Sequence, residues 1–140
     1  MNTEILMAIH DSFARQSLME TLGAQLDHVQ KGEVQISAPI LPGARQQHGF
    51  AHAGLTFSLG DSAAGYTALS VMPVGSEVLT AEIKINLLAP GRGERLIARG
   101  RVIKPGRRLV VVAADVHALD RGDETLIATL TGTMVPLLSD

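Results

Sequence analysis

The chain has 140 residues and a formal net charge of -2, which excludes the strongly basic balance of an electrostatic nucleic-acid binder. It has no cysteine, so disulfides, thiolate nucleophiles and Cys-based metal sites are excluded too. Hydrophobic residues make up 46% and aromatics 3%, so the core must come from Leu, Ile, Val and Ala. A chain of this size is expected to form one domain over 1–140. No apolar run approaches the roughly 18 residues of a membrane span. The N-terminal MNTEILMAIHDSFARQ carries acids and lacks the basic start of a secretory signal, so the expected location is cytoplasmic, away from membranes.

In chain order, residues 3–21 place Ile5, Leu6, Ile9, Phe13, Leu18 and Met19 at helical spacing, with Thr3 as the expected N-cap. GAQLDHVQKGEVQISAPIL then reads as two strands turning at Lys31-Gly32. Its second half alternates Val34, Ile36, Ala38 and Ile40 against Glu33, Gln35 and Ser37. LPGARQQHGFA, with Pro42, Gly43 and Gly49, is a loop. Residues 52–70 predict a helix ended by Pro73 and Gly75. Four strand-like runs follow, over 77–88, 94–103, 108–119 and 124–137. The turns between them are Pro90-Gly91-Arg92-Gly93, Lys104-Pro105-Gly106 and Asp120-Arg121-Gly122-Asp123. Short connections favour antiparallel hairpins between consecutive strands. The order predicts an α+β domain whose sheet wraps a central helix.

That helix has an odd face. At about 100° per residue, Leu55, Leu59, Ala63 and Tyr66 form the stripe expected to face the sheet. Gly54, Ser58, Asp61 and Gly65 share a stripe on the other side, where almost no side chain surrounds the carboxylate. Either these small residues pack against another element or subunit while Asp61 pairs with a donor, or they clear room for a ligand on which Asp61 acts. The helix start, His52-Ala53-Gly54, adds unpaired N–H groups suited to an anion or a developing oxyanion. Donor and carboxylate lie about 12 Å apart along the axis at 1.5 Å per residue, too far for one helix to bring both to one atom. Two antiparallel copies would place each donor end near the partner's Asp61, and symmetric dimers are the commonest oligomers.

The segment QQHGFAHAGLTFSLGDSAAG resembles the hotdog-fold acyl-CoA thioesterases of the PaaI (phenylacetic acid degradation) type. Their signature is Asn or Gln, five residues, His-Gly-Gly, and an acid nine residues after the His. Here Gln46 precedes His52 by six and Asp61 follows it by nine. LTAEIKINLLAPG is similar to the family's third strand, RVIKPGRRLVVVAADVHA to its next hairpin, and the element order agrees over essentially the whole chain. The resemblance implies a hotdog fold, a six-stranded antiparallel sheet around a central helix with an N-terminal helix. It also implies hydrolysis of acyl-CoA thioesters, medium-chain or aryl-acyl, with no cofactor beyond the substrate's own coenzyme A. The sites would lie at the subunit interface of a homodimer or homotetramer.

On that resemblance Asp61 would be general base or nucleophile, and the N–H of Ala53 would polarise the thioester carbonyl. Gln46 of the other subunit would position water or substrate, and Thr80 would orient the water. Gly54, Ser58 and Gly65 would border the substrate, and Lys104, Arg107 and Arg108 would meet the coenzyme A phosphates. Two departures stand out: Ala53 where the family has glycine, and Gln46 where Asn is common. His52 and His48, four apart in a loop, have no third ligand nearby and suggest no metal site, so His52 is expected to fix the loop by hydrogen bonding. A Ser58–His52–Asp61 triad lacks the G-x-S-x-G elbow, and the Pro90–Gly93 turn lacks the Walker pattern. Two other functions are possible on this fold: non-catalytic acyl-CoA binding, and 3-hydroxyacyl-thioester dehydration. Thiol release separates binding from hydrolysis, and the motif arrangement disfavours dehydration.

Overall fold

The computed structural model describes residues 1–138 and is built as α1 (Thr3–Ala14), α2 (Ser17–Thr21), β1 (Gln25–Gln30), β2 (Glu33–Pro39), α3 (Ala53–Leu69), β3 (Ser76–Leu87), β4 (Arg95–Pro105), β5 (Val110–Asp120) and β6 (Asp123–Leu138). One antiparallel six-stranded sheet runs in the order β1-β2-β4-β5-β6-β3 and wraps α3, as the resemblance implies. Among the described residues no helix is long and apolar enough to cross a membrane.

The alternating strands supply the core. Val34, Ile36 and Ala38 of β2, Leu96 and Ala98 of β4, Val110, Val112, Ala114, Val116 and Ala118 of β5, and Ala128, Leu130 and Met134 of β6 are all buried. Leu55, Leu59, Ala63 and Tyr66 of α3 meet them on the expected stripe. With so few large side chains, helix and sheet must approach closely. Gly100 of β4 makes this possible: a Cβ there would stand 2.7 Å from the Ala63 carbonyl oxygen. Gly60 does the same on the helix, where a Cβ would meet Leu130 Cδ1 at 2.7 Å.

Three expectations need correction. Residues 3–21 are two helices, not one. Gln16 is extended (φ -83, ψ 96) and separates α1 from α2. Ile9 of α1 and Met19 of α2 are both buried, at 0% and 1% exposed. The N-cap of α1 is Asn2 rather than Thr3; its Oδ1 accepts from the amides of Glu4 (2.7 Å) and Ile5 (3.3 Å). Finally, β3 and β4 do not form a hairpin. The segment holding Pro90-Gly91-Arg92-Gly93 crosses the fold, so β4 joins β2 while β3 pairs with β6. That crossing is tied to the loop before α3, where the Ala51 amide donates to Gly91 O at 2.9 Å.

This topology leaves β3 as an edge with β6 as its only partner strand among the described residues. Leu79 and Leu87 are exposed on it, and Phe57 is exposed on the uncovered side of α3. Long exposed apolar edges invite pairing with another chain.

Candidate active site

The loop between β2 and α3 is held by its own polar groups. Arg45 donates to the carbonyls of Gly49 (2.6 Å) and Ile40 (2.7 Å). Gly49 takes φ +86, a left-handed conformation that glycine adopts without strain. The Gln46 side-chain carbonyl accepts from the amides of His48 (2.5 Å) and Phe50 (3.3 Å), leaving its NH2 group as the available donor. Gln46 thus braces the loop and lines a 340 Å³ recess with Phe50, Ala53, Thr56 and Leu87.

The loop delivers the chain to α3 through His52. Its backbone is extended (φ -64, ψ 142), and its Nδ1 accepts from the Gly54 amide at 2.7 Å. The bond assigns the neutral ring's proton to Nε2. It also explains the glycine of His-x-Gly, because a Cβ on residue 54 would sit 2.9 Å from that nitrogen. The Leu55 and Thr56 amides donate to His52 O at 2.9 and 3.3 Å. Of the first four amides of α3, only that of Ala53 has no acceptor among the described residues. Arg121 alone among the described non-glycine residues has positive φ, so the alanine in place of glycine carries no backbone strain.

Two turns on, Asp61 is half-buried, and its Oδ1 accepts from Thr80 Oγ1 of β3 at 2.9 Å. This pair opens on a second recess, of 230 Å³, bordered also by Gly65. A Cβ on Gly65 would meet nothing within 4 Å, so the missing side chain leaves open space beside the carboxylate.

The structure therefore joins the sequence-selected residues into two groups: Asp61, Thr80 and Gly65 in one recess, Gln46 and Ala53 in another. Ser58 and Gly54 line neither. Ser58 Oγ donates back to Gly54 O at 2.7 Å, and Gly54 lies under the His52 ring. Lys104, Arg107 and Arg108 are exposed at the end of β4 and in the turn after it. Arg107 borders a hollow with Val71, Met72 and Pro73 beyond the end of α3, and none of the three cations lines either recess.

Sequence reasoning missed the far wall of the Asp61 recess. Tyr66 OH lies 3.0 Å from Ser12 Oγ and accepts from Gln16 Nε2 at 2.9 Å, while Ser62 Oγ donates to Gln16 Oε1 at 3.3 Å. These contacts span about fifty positions, and no local pattern announces them. It also missed Arg92, whose guanidinium stacks over Phe50 at 4.5 Å from the ring centre.

A family model for the thioesterase superfamily matches residues 48–125. A Saccharolobus solfataricus protein, provisionally named as an esterase, is 31% identical over 127 residues, covering 91% of this chain and 82% of that one. Among solved structures, a thioesterase family protein from Silicibacter pomeroyi is 44% identical with a TM-score of 0.94, covering 96% of this chain and 99% of that one. A point mutant of the phenylacetic acid degradation protein PaaI from Thermus thermophilus is 28% identical with a TM-score of 0.73, covering 87% and 100%.

Proposed function

Because the chain belongs to the thioesterase superfamily, as a hotdog-fold protein of the PaaI type, we propose that it hydrolyses acyl-CoA thioesters at sites shared between two antiparallel copies. The observation that carries this reading is the division of the site. The Asp61 carboxylate and the free Ala53 amide open on different recesses of one chain, eight residues apart along α3, or about 12 Å. Neither half holds both a base and an oxyanion donor. Pairing through the free edge of β3 reverses one α3 against the other, sets the Ala53 end of each near Asp61 of its partner, and covers Phe57, Leu79 and Leu87.

The chemistry then follows from the donors and acceptors. Thr80 occupies Asp61 Oδ1, which leaves Oδ2 to take a proton from water. The water oxygen adds to the thioester carbonyl, whose oxygen gains negative charge facing the partner's Ala53 amide. Collapse of the tetrahedral intermediate breaks the C–S bond. The thiolate takes the proton from Asp61, giving free acid and coenzyme A. A positioned base contributes about 10²–10⁴-fold and one oxyanion donor about 10²–10³-fold. The His52 cap fixes the direction of the Ala53 amide, and Gln46 offers its NH2 group at the same mouth.

The test is thiol release from a panel of straight-chain and aryl acyl-CoAs. Wild type is expected to release thiol, and Asp61→Asn to lose several orders of magnitude in kcat while remaining folded. Near wild-type turnover in that variant would remove Asp61 from the mechanism. Binding of acyl-CoA without release by wild type would favour a carrier function instead.

A further inference from the structure

The Asp61 recess has three walls: α3 with Asp61, Ser62 and Gly65; β3 with Val78 and Thr80; and the corner between α1 and α2. The third wall is distinctive. At the break between the two helices Gln16 sends its side chain into the recess, where both ends are held. Nε2 donates to Tyr66 OH and Oε1 accepts from Ser62 Oγ, one residue from the carboxylate. Tyr66 is itself fixed, 5% exposed and edge-on to Phe13 with ring centres 6.2 Å apart. Gln16 is thus a long side chain held rigid across the space that Gly65 leaves open.

We infer that Gln16 is a specificity-determining residue, the stop that limits the length of the acyl group held beside Asp61. The inference rests on the thioesterase reading and adds to it the side chain that chooses the substrate. The recess measures 230 Å³. A short straight acyl group stops in front of the Gln16 amide. A longer chain has to displace the Gln16 amide and break its bonds to Tyr66 and Ser62. The N-terminal helices therefore do more than cover the core: the break between them sets Gln16 in the substrate's path.

The experiment compares kcat/KM for hexanoyl-CoA and decanoyl-CoA in wild type, Gln16→Ser and Gln16→Met. Gln16 makes no side-chain bond as N-cap of α2, and serine is favoured at that position, so Gln16→Ser is expected to fold. It removes three non-hydrogen atoms from the recess. The decanoyl-to-hexanoyl ratio is expected to rise at least about tenfold, since room is made for about two or three methylenes and each one buried counts for about fourfold. Gln16→Met keeps the volume but loses both hydrogen bonds, and its ratio is expected to fall between those of wild type and Gln16→Ser. The ratio is taken within each enzyme, so a loss of folded protein does not move it. An unchanged ratio in a Gln16→Ser enzyme that still releases thiol would overturn the length limit and leave the hydrolase standing. So would a Gln16→Met profile as long as that of Gln16→Ser. No thiol release by wild type from any acyl-CoA would instead overturn the hydrolase reading, and this inference with it.

Discussion

The division of the site can be tested by pairing two disabled chains. Ala53→Pro deletes one atom group that matters, the amide hydrogen without an acceptor at the start of α3. Proline is well tolerated at the first helical position, and His52, at φ -64 and ψ 142, already has the extended backbone required before proline. The fold should therefore survive, while loss of a single oxyanion donor costs about 10²–10³-fold in kcat, or about 2.7–4 kcal/mol of transition-state stabilisation. Asp61→Asn disables the other half. Purified with two different tags, a heterodimer of Ala53→Pro and Asp61→Asn chains has one site with both defects. Its other site joins an intact Asp61 to an intact Ala53. Its activity per dimer should return to about half of wild type, whereas either homodimer stays near 1% or below, as expected for closed two-fold pairing. Thiol release from the tagged heterodimer is the assay. A heterodimer as inactive as its parents would mean that each chain uses its own Asp61 and Ala53, and the antiparallel arrangement would be refuted.

Thr80→Val removes the hydroxyl that donates to Asp61 Oδ1 at 2.9 Å. Loss of a bond to a charged group is worth about 1.5–3 kcal/mol, so kcat should fall about 10- to 100-fold with little change in melting temperature. The reverse pattern is expected at Gly65→Ala. Alanine stabilises a compatible helical position by about 0.4–1 kcal/mol, but its methyl enters the recess beside Asp61 and should lower kcat/KM most for the longest acyl groups. Gly100→Ala should instead melt lower, by about 1–3 kcal/mol of overpacking, because its Cβ meets the Ala63 carbonyl at 2.7 Å. On the outer sheet face Arg99 holds the Glu124 carboxyl below its ordinary 4.5, chiefly through their hydrogen bond. A lowered carboxyl contributes stability above its ordinary pKa and loses it as pH falls through the lowered value. The pair is about 40% exposed, so Glu124→Gln should cost well under about 1 kcal/mol at pH 7. Denaturant midpoints should converge with wild type as pH falls below the ordinary 4.5 and through the lowered value.

The sequence by itself determined most of the architecture. Alternation in β2, β4, β5 and β6 named the buried side of each strand, and the 3.6-residue period of α3 named Leu55, Leu59, Ala63 and Tyr66. These are local signals, because a side chain's direction follows from its own backbone period. The spacing of His52, Ala53 and Gly54 was legible for a related reason. A histidine that caps its own helix needs a glycine two residues on, and both lie within one turn. What tertiary structure alone decided lies across long stretches of chain. The position of β3 at the sheet edge depends on β4 choosing β2, a competition between distant strands that no turn residue reveals. The bond from Thr80 to Asp61 spans nineteen positions, and that from Gln16 to Tyr66 spans fifty. Periodicity could place Asp61 on an uncovered face. Only packing could supply what stands around it: Thr80 from an edge strand, and Gln16 from the corner between α1 and α2.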